Sequence, residues 1–270
     1  MEEGHPSRYR LTPTAVGTMR PRLQRWLSLA DVLLVPAFIL WFIWRLQFTA
    51  RWTWILFPVW LAASFALRRD TPKTLGWRAD NLGAATKQAL AAFGAMAAVL
   101  IAIGLALGAR VHPLLSQFEW RRVEGYFAFC VLQQVALNSL LHNRMMSLVR
   151  VPWAAACLTG LVFAACHWPN PVLVPLTFVG GAVIAWLFGR VRNIIPLAIG
   201  QVVLGLLVSW AFPITWHHHL RVGPGYYTSG FSTKLANLGE GNPGLAMGIE
   251  RASFSATAYP GATSDRDTIR

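Results

Sequence analysis

Seven long apolar stretches dominate this chain and restrict what it can fold into. A helix needs about 20 consecutive apolar residues to cross a bilayer, and most of the stretches approach that length. Charged residues make up only 13% of the 270 residues, whereas soluble domains carry about 25%. The sequence therefore predicts an all-α, polytopic transmembrane helix bundle of seven spans, or eight with an added short helix. The predicted spans are residues 26–47, 52–67, 86–108, 124–142, 152–167, 172–189 and 194–212.

The two ends of the chain differ from this apolar middle. Residues 1–25 are polar, contain three prolines and lack the apolar core of a cleavable signal peptide, so we expect a flexible arm. Residues 228–270 are rich in Gly, Ser, Thr and Ala and show little apolar periodicity, which predicts a disordered tail. The transmembrane domain is accordingly predicted to cover residues 26–227.

The net charge of +13 comes from short basic clusters between the apolar stretches. A nucleic-acid-binding surface would gather these residues into one patch, so the pattern favours a lipid bilayer as partner and argues against nucleic acid. With the N-terminus inside, the inner segments hold 14 Arg and Lys residues and the short outer loops hold five. The positive-inside rule then predicts a multi-pass protein of the plasma membrane with a cytoplasmic N-terminus.

One apolar stretch contains an unusual set of polar residues, "VLQQVALNSLLHNRM" at 131–145. On an α-helix Gln134, Asn138 and His142 would share one face, beside Gln133. Polar side chains at this depth face the bundle interior, because lipid offers no hydrogen-bond partners. Two interpretations remain open from these residues alone. They form hydrogen bonds that join helices, or they line a functional cavity.

Two further stretches add polar residues at helix positions. "GLVFAACHWPNP" places Phe163, His167 and Asn170 at the end of the fifth span, and "GRVRNIIPLAIGQVVLG" places Gln201 inside the seventh. In this order, the motifs resemble the CPBP family, the CAAX-protease and bacteriocin-processing membrane proteins. "TPKTLGWRADNL" at 71–82 and "RVGPGYY" at 221–227 are also similar to segments of that family. The resemblance covers residues 26–227.

The resemblance implies an intramembrane metalloendopeptidase that cleaves membrane-bound or lipidated peptides. The family carries Glu-Glu-x-x-x-Arg, Phe-x-x-x-His and His-x-x-x-Asn motifs, with a Glu that activates water and His residues that hold zinc. Matched by position, this chain has Gln133 and Gln134 for the two Glu, Asn138 for the Arg, Phe163 and His167 unchanged, Gln201 for the second His, and Gly205 for the Asn. The resemblance therefore gives Gln133, Gln134, His167 and Gln201 as the catalytic positions and His167 as the metal ligand. The candidate binding residues are Asn138, Phe163, Asn170 and His142, and for His142 the alternative is a place at the inner membrane interface beside Arg144.

These substitutions remove the groups that the family chemistry needs. A carboxamide does not take a proton near neutral pH, and it is a poorer zinc ligand than imidazole or carboxylate. We therefore expect weak zinc binding or none, and two hypotheses for function. The chain is an endopeptidase of the family with altered chemistry, or a noncatalytic relative that binds membrane peptides or lipids as a chaperone or immunity-type partner. A small transporter is disfavoured by the absence of sequence repeats and of paired membrane charges.

The remaining candidates receive structural predictions. Cys130, Cys157 and Cys166 have no paired spacing and are interpreted as small buried hydrophobic residues. Asp31, the only carboxylate well inside an apolar stretch, is predicted to be hydrogen-bonded and structural. The three residues His217, His218 and His219 are assigned to the surface.

Overall fold

The computed structural model describes residues 21–109 and 120–228. Every regular element in these ranges is helical, which confirms the predicted all-α bundle. Residues 1–20 of the predicted arm and residues 229–270 of the predicted tail lie outside the described residues. The helices are α1 (Pro21–Trp41), α2 (Gln47–Thr49), α3 (Leu56–Arg68), α4 (Pro72–Leu75), α5 (Leu82–Ala106), α6 (Trp120–Gln134), α7 (Asn143–Val149), α8 (Pro152–Ala165), α9 (Leu173–Val191), α10 (Ile194–Ala211) and α11 (Ile214–His217).

Within the described residues, four helical segments are long and apolar enough to cross a membrane: Arg22–Thr49, Leu82–Ala106, Leu173–Val191 and Ile194–Ala211. The first runs continuously from α1 through a π-helical stretch, Phe42–Leu46, into α2. The other three predicted spans are also helical. However, α3 has 13 residues and α8 has 14, which is short for a membrane span, and α6 contains several polar side chains. These segments show that the chain is a multi-pass membrane protein.

A second π-helical stretch, Val135–His142, separates α6 from α7 within one continuous helix. In a π-helix the backbone hydrogen bonds span five residues instead of four, so the turn is wider. Residues eight apart consequently lose the alignment that an α-helix would give them. This stretch holds Asn138 and His142, and it follows directly after Gln134.

The loop between α3 and α5 is fixed against the bundle by polar side chains. Thr71 caps α4 with a capping box, and Asn193 Nδ2 donates to the carbonyl of Arg78 at 2.7 Å. Gly76 has φ +87°, and a Cβ there would lie 2.6 Å from the ring of Phe188. Only glycine fits this left-handed position without strain. The loop therefore closes one end of the bundle over α9 and α10.

A buried charge cluster joins α1, α3 and α7. The Asp31 carboxylate accepts hydrogen bonds from Trp60 Nε1 (3.1 Å), Ser64 Oγ (2.6 Å) and Arg144 Nε (3.2 Å). Arg144 also donates to Asp70 Oδ2 at 2.6 Å. The structural prediction for Asp31 is thus confirmed. The sequence disfavoured a transporter partly because it indicated no paired charges within the membrane. The Asp31–Arg144 pair shows that this expectation was wrong, so that argument against a transporter no longer holds.

Helices α8 and α9 cross in close backbone contact. A Cβ on Gly160 would lie 2.5 Å from the carbonyl oxygen of Phe178 and 2.7 Å from the nitrogen of Ala182. Small residues allow such close approach between membrane helices, where van der Waals packing replaces the hydrophobic effect. The crossing holds the C-terminal end of α8, with Phe163, against the middle of α9.

The three cysteines are all free thiols. Cys130 is fully buried and Cys166 partly buried, but Cys157 is exposed on the surface of α8. The interpretation as a buried hydrophobic residue is therefore correct for Cys130 and wrong for Cys157, whose side chain faces outward from the helix pair.

Candidate functional site

Four side-chain amides form a continuous chain of hydrogen bonds between the α6–π helix and α10. Asn138 Nδ2 donates to Gln134 Oε1 (2.5 Å), and Gln134 Nε2 donates to Gln201 Oε1 (2.6 Å). Gln201 Nε2 then donates to Gln133 Oε1 (2.6 Å). We call these four residues the amide chain. It joins residues 67 and 68 positions apart in sequence.

The hydrogen bonds of the amide chain all run from Asn138 toward Gln133, so its two ends differ in the donors and acceptors that they leave free. Gln134 and Asn138 are fully buried, and Asn138 Oδ1 has no hydrogen-bond partner among the described residues. At the other end Gln133 uses its carbonyl oxygen within the amide chain, and its NH₂ group has no hydrogen-bond partner among the described residues. Gln133 and Gln201 are partly buried and line a cavity. The amide chain thus presents hydrogen-bond donors to that cavity.

The cavity lies between α5, α6, α8, α9 and α10 and has a volume of about 440 Å³. Small-molecule sites commonly fall between about 300 and 1,000 Å³, so it can hold a ligand chain. Its exposed lining residues Val99, Phe129 and Val179 lie in the middle of their helices. The cavity therefore opens sideways, toward the lipid. The polar groups among the described lining residues are Tyr126, Gln133, His167, Thr177 and Gln201.

His167 lines this cavity at the C-terminal end of α8. Its Nδ1 lies 2.7 Å from the carbonyl oxygen of Phe163, and the two rings meet edge to face with centroids 4.6 Å apart. A carbonyl oxygen only accepts, so Nδ1 carries the proton. In the neutral ring Nε2 is then an acceptor. The cavity thus combines one imidazole acceptor with the amide donors of Gln133.

Of the four candidate binding residues only Phe163 lines the cavity, whereas Asn138, His142 and Asn170 do not. His142 is buried, pairs with Thr159 Oγ1 at 3.2 Å and meets the ring of Phe188 edge to face. The wider π-helical turn explains why it leaves the face shared by Gln134 and Asn138.

Asn170 is fully buried and joins two chain segments. Its Oδ1 accepts from the backbone nitrogens of Val172 (3.1 Å) and Leu173 (3.0 Å), which caps α9. Its Nδ2 donates to the carbonyls of His217 (2.8 Å) and Arg221 (3.0 Å). All four hydrogen-bonding positions of this amide are used, so Asn170 holds the C-terminal segment rather than a ligand.

The sequence assigned His217, His218 and His219 to the surface, but His217 is only 2% exposed. Its Nδ1 accepts from the backbone nitrogen of Leu220 at 3.3 Å. The burial follows from the turn that begins at Pro213, which folds the segment back onto Asn170.

Tyr126 is the functional candidate that the sequence reasoning missed. It lines the cavity from α6, and a Cβ on Gly205 would lie 1.9 Å from its hydroxyl oxygen. The hydroxyl therefore occupies the space into which a side chain at position 205 would project. A signal was present, because Tyr126 precedes Gln133 by seven residues and so shares its helix face.

The donor set does not fit a catalytic zinc ion. Such sites use three protein ligands drawn from His, Cys, Asp and Glu. Among the described residues there is no group of three or more of these types that could hold a metal. His167 is the one imidazole on the described cavity wall, and the neighbouring amides bond to each other.

Residues 124–207 match the protein family described as type II CAAX prenyl endopeptidase Rce1-like. The matched range is narrower than the resemblance over 26–227, but it runs from α6 to α10 and contains the whole amide chain, His167 and Gly205. No curated protein and no solved structure matches the chain. By this match, residues 124–207 are similar to the Rce1-like family of CAAX proteases.

Proposed function

We propose that this protein binds membrane-embedded or lipidated peptides in its lateral cavity and does not cleave them. The observation that supports this most directly is the amide chain. Its members stand where the family resemblance puts a carboxylate base and a metal-binding histidine, and their hydrogen bonds are made to one another. A site built from neutral amides that bond to one another, with a few neutral donors and acceptors left for a ligand, is suited to holding that ligand rather than to activating water.

The chemistry of the groups supports the same conclusion. General-base help is worth about 10²- to 10⁴-fold in rate, and an amide cannot supply it. His167 Nε2 is the single basic nitrogen on the described wall of the cavity. It has neither a carboxylate partner nor a second imidazole beside it among those residues. We expect the purified protein to contain far less than one zinc ion per chain.

The shape of the cavity indicates the kind of ligand. Most of its wall is apolar, and its described lining contains no Asp, Glu, Lys or Arg. An apolar chain entering from the lipid would fill the wall, and an uncharged polar group would pair with Gln133 and His167. A prenylated peptide has both parts, with amide groups next to the hydrocarbon.

The decisive experiment combines binding and turnover. Purified protein in nanodiscs should bind a fluorescent farnesylated peptide amide and release it intact. The same peptide without the farnesyl group serves as the control and should bind much more weakly. Hydrolysis by the unmodified chain that disappears on adding a chelator and in His167→Ala would overturn the proposal.

A second variant tests whether the glutamines at the family's catalytic positions account for the expected lack of zinc binding. Gln133→Glu together with Gln201→His places one carboxylate and one imidazole on the wall of the cavity that His167 also lines, three groups of the types that bind zinc. Gain of zinc binding in this double variant, but in neither single variant, would support the assignment. Absence of any gain despite a folded protein would show that these positions do not form one site.

We also propose the orientation that the basic residues indicate, with the N-terminus in the cytoplasm of a plasma membrane. In cells, Lys73→Cys in the loop before α5 should resist an impermeant maleimide, whereas Tyr227→Cys should react. Both side chains are exposed. The opposite labelling pattern would reverse the orientation without affecting the site.

A further inference from the structure

Tyr126 and Gly205 form a second contact between α6 and α10, beside the amide chain. The Tyr126 hydroxyl oxygen lies where a Cβ on Gly205 would be, at 1.9 Å, and the ring carbon that carries it lies at 3.0 Å. Real Cβ atoms do not approach other atoms so closely. The phenol therefore fits in this position because residue 205 is glycine, and any larger residue there must displace it.

The position of this contact brings the hydroxyl to the ligand space. Tyr126 lies seven residues before Gln133, and Gly205 lies four residues after Gln201, so each pair shares a helix face. Tyr126, Gln133, Gln201 and Gly205 all line the same cavity. The interface between α6 and α10 thus carries polar groups at two neighbouring positions, the amides at one and the phenol at the other.

The hydroxyl has hydrogen-bonding capacity to offer. A phenol can donate one hydrogen bond and accept others. Its polar neighbour on α6 is the thiol of Cys130, four residues further along, and sulfur is a weak partner compared with oxygen or nitrogen. The side chain is partly buried, so the group is shielded from bulk water yet accessible from the cavity.

We propose that Tyr126 is a ligand-recognition residue of the cavity, whose hydroxyl takes the place of a side chain at Gly205 and bonds the polar group of the ligand. Together with the NH₂ of Gln133 and Nε2 of His167 it selects an uncharged carbonyl or amide at the end of an apolar chain. This inference rests on the proposed function, because it names the group that the same cavity recognises.

A pair of probes tests recognition. One is a fluorescent C16 alkyl chain that ends in a primary carboxamide, and the other is the same chain ending in methyl. The unmodified protein should prefer the carboxamide. Tyr126→Phe keeps the ring but loses the hydroxyl, and should weaken carboxamide binding about five-fold, the effect of one hydrogen bond. Binding of the methyl probe should not change. Tyr227→Phe, at an exposed position, is the matched control.

The outcomes separate this inference from the proposed function. Equal weakening of both probes would mean that Tyr126 only shapes the wall, and no weakening would mean that it contacts no ligand; either result overturns the inference. Lack of preference for the carboxamide in the unmodified protein would also overturn it. The proposed function is judged separately, because its test uses the farnesylated peptide.

A packing test examines the contact itself. Gly205→Ala should lower the melting temperature, because the new Cβ meets the hydroxyl, and the loss should be smaller in a Tyr126→Phe background. Gly94→Ala is the matched control, since Gly94 also lies within a helix but has nothing within 4 Å of its Cβ position. An equal effect of Gly205→Ala in both backgrounds would overturn the inference.

Discussion

Replacing Gln134 with leucine should destabilise the protein more than replacing Gln134 and Asn138 together. Gln134→Leu removes the acceptor of Asn138 Nδ2 (2.5 Å) and the donor to Gln201 Oε1 (2.6 Å). Asn138 Oδ1 already lacks a partner among the described residues. The single variant would therefore leave a fully buried amide without any hydrogen bond.

The magnitude follows from the burial of the orphaned groups. A buried donor without a partner costs about 1–3 kcal/mol, and the Gln201 oxygen, which faces the cavity, adds less. We expect a loss of about 2–3 kcal/mol for Gln134→Leu. In Gln134→Leu/Asn138→Val no buried amide remains, so the stability should return to within about 1 kcal/mol of the unmodified protein.

Thermal unfolding in detergent, followed by the fluorescence of the 13 tryptophans, measures the difference. For a chain of this size 1 kcal/mol corresponds to about 2–4 °C, so the single variant should melt roughly 4–12 °C lower. If the bond were only favourable glue, worth about 0.6 kcal/mol in membrane proteins, the double variant would be the least stable. That order of melting temperatures would refute the reasoning. Gln133→Leu, which affects a partly buried amide, should cost less than Gln134→Leu.

Two further substitutions have clear expected outcomes. Gly76→Ala places a Cβ at φ +87° and 2.6 Å from the buried ring of Phe188, so it should cost at least about 2 kcal/mol. Gly83→Ala, with nothing within 4 Å, should be neutral or stabilising; equal melting temperatures would contradict the assigned conformation. Arg144→Met removes the partner of Asp70 and the nearer of the two guanidinium partners of Asp31, leaving Arg68 Nε at 3.9 Å, and should cost about 3 kcal/mol in denaturant unfolding. The exposed Arg45→Met is its control, and a similarly small effect of both would show that the charge cluster is not buried.

The order of helices and the polar positions could be predicted from the sequence because both depend on local signals. Apolar length located the helices, with α1 beginning at Pro21 rather than residue 26. The spacing of Gln133, Gln134 and Gln201 within apolar stretches pointed to the bundle interior. These inferences need no knowledge of which helices are neighbours.

The rest depended on contacts between distant residues. The π-helical turn, which separates His142 from Asn138, has no signal in α-helical periodicity. The capping role of Asn170 depends on carbonyls 47 and 51 residues later. Tyr126 was missed because a tyrosine in an apolar stretch is unremarkable until Gly205 is placed opposite its hydroxyl.

The Asp31–Arg144 pair has a consequence for how the protein is made. Ser64 and Trp60 follow Asp31 by 33 and 29 residues, but Arg144 follows it by 113. At about 5–20 residues per second the ribosome needs roughly 6–23 s to add that length. During this interval the available cation is Arg68, which follows Asp31 by 37 residues and places its Nε 3.9 Å from Asp31 Oδ2. The early partners of Asp31 thus join α1 to α3, and α7 completes the cluster only when Arg144 has been made.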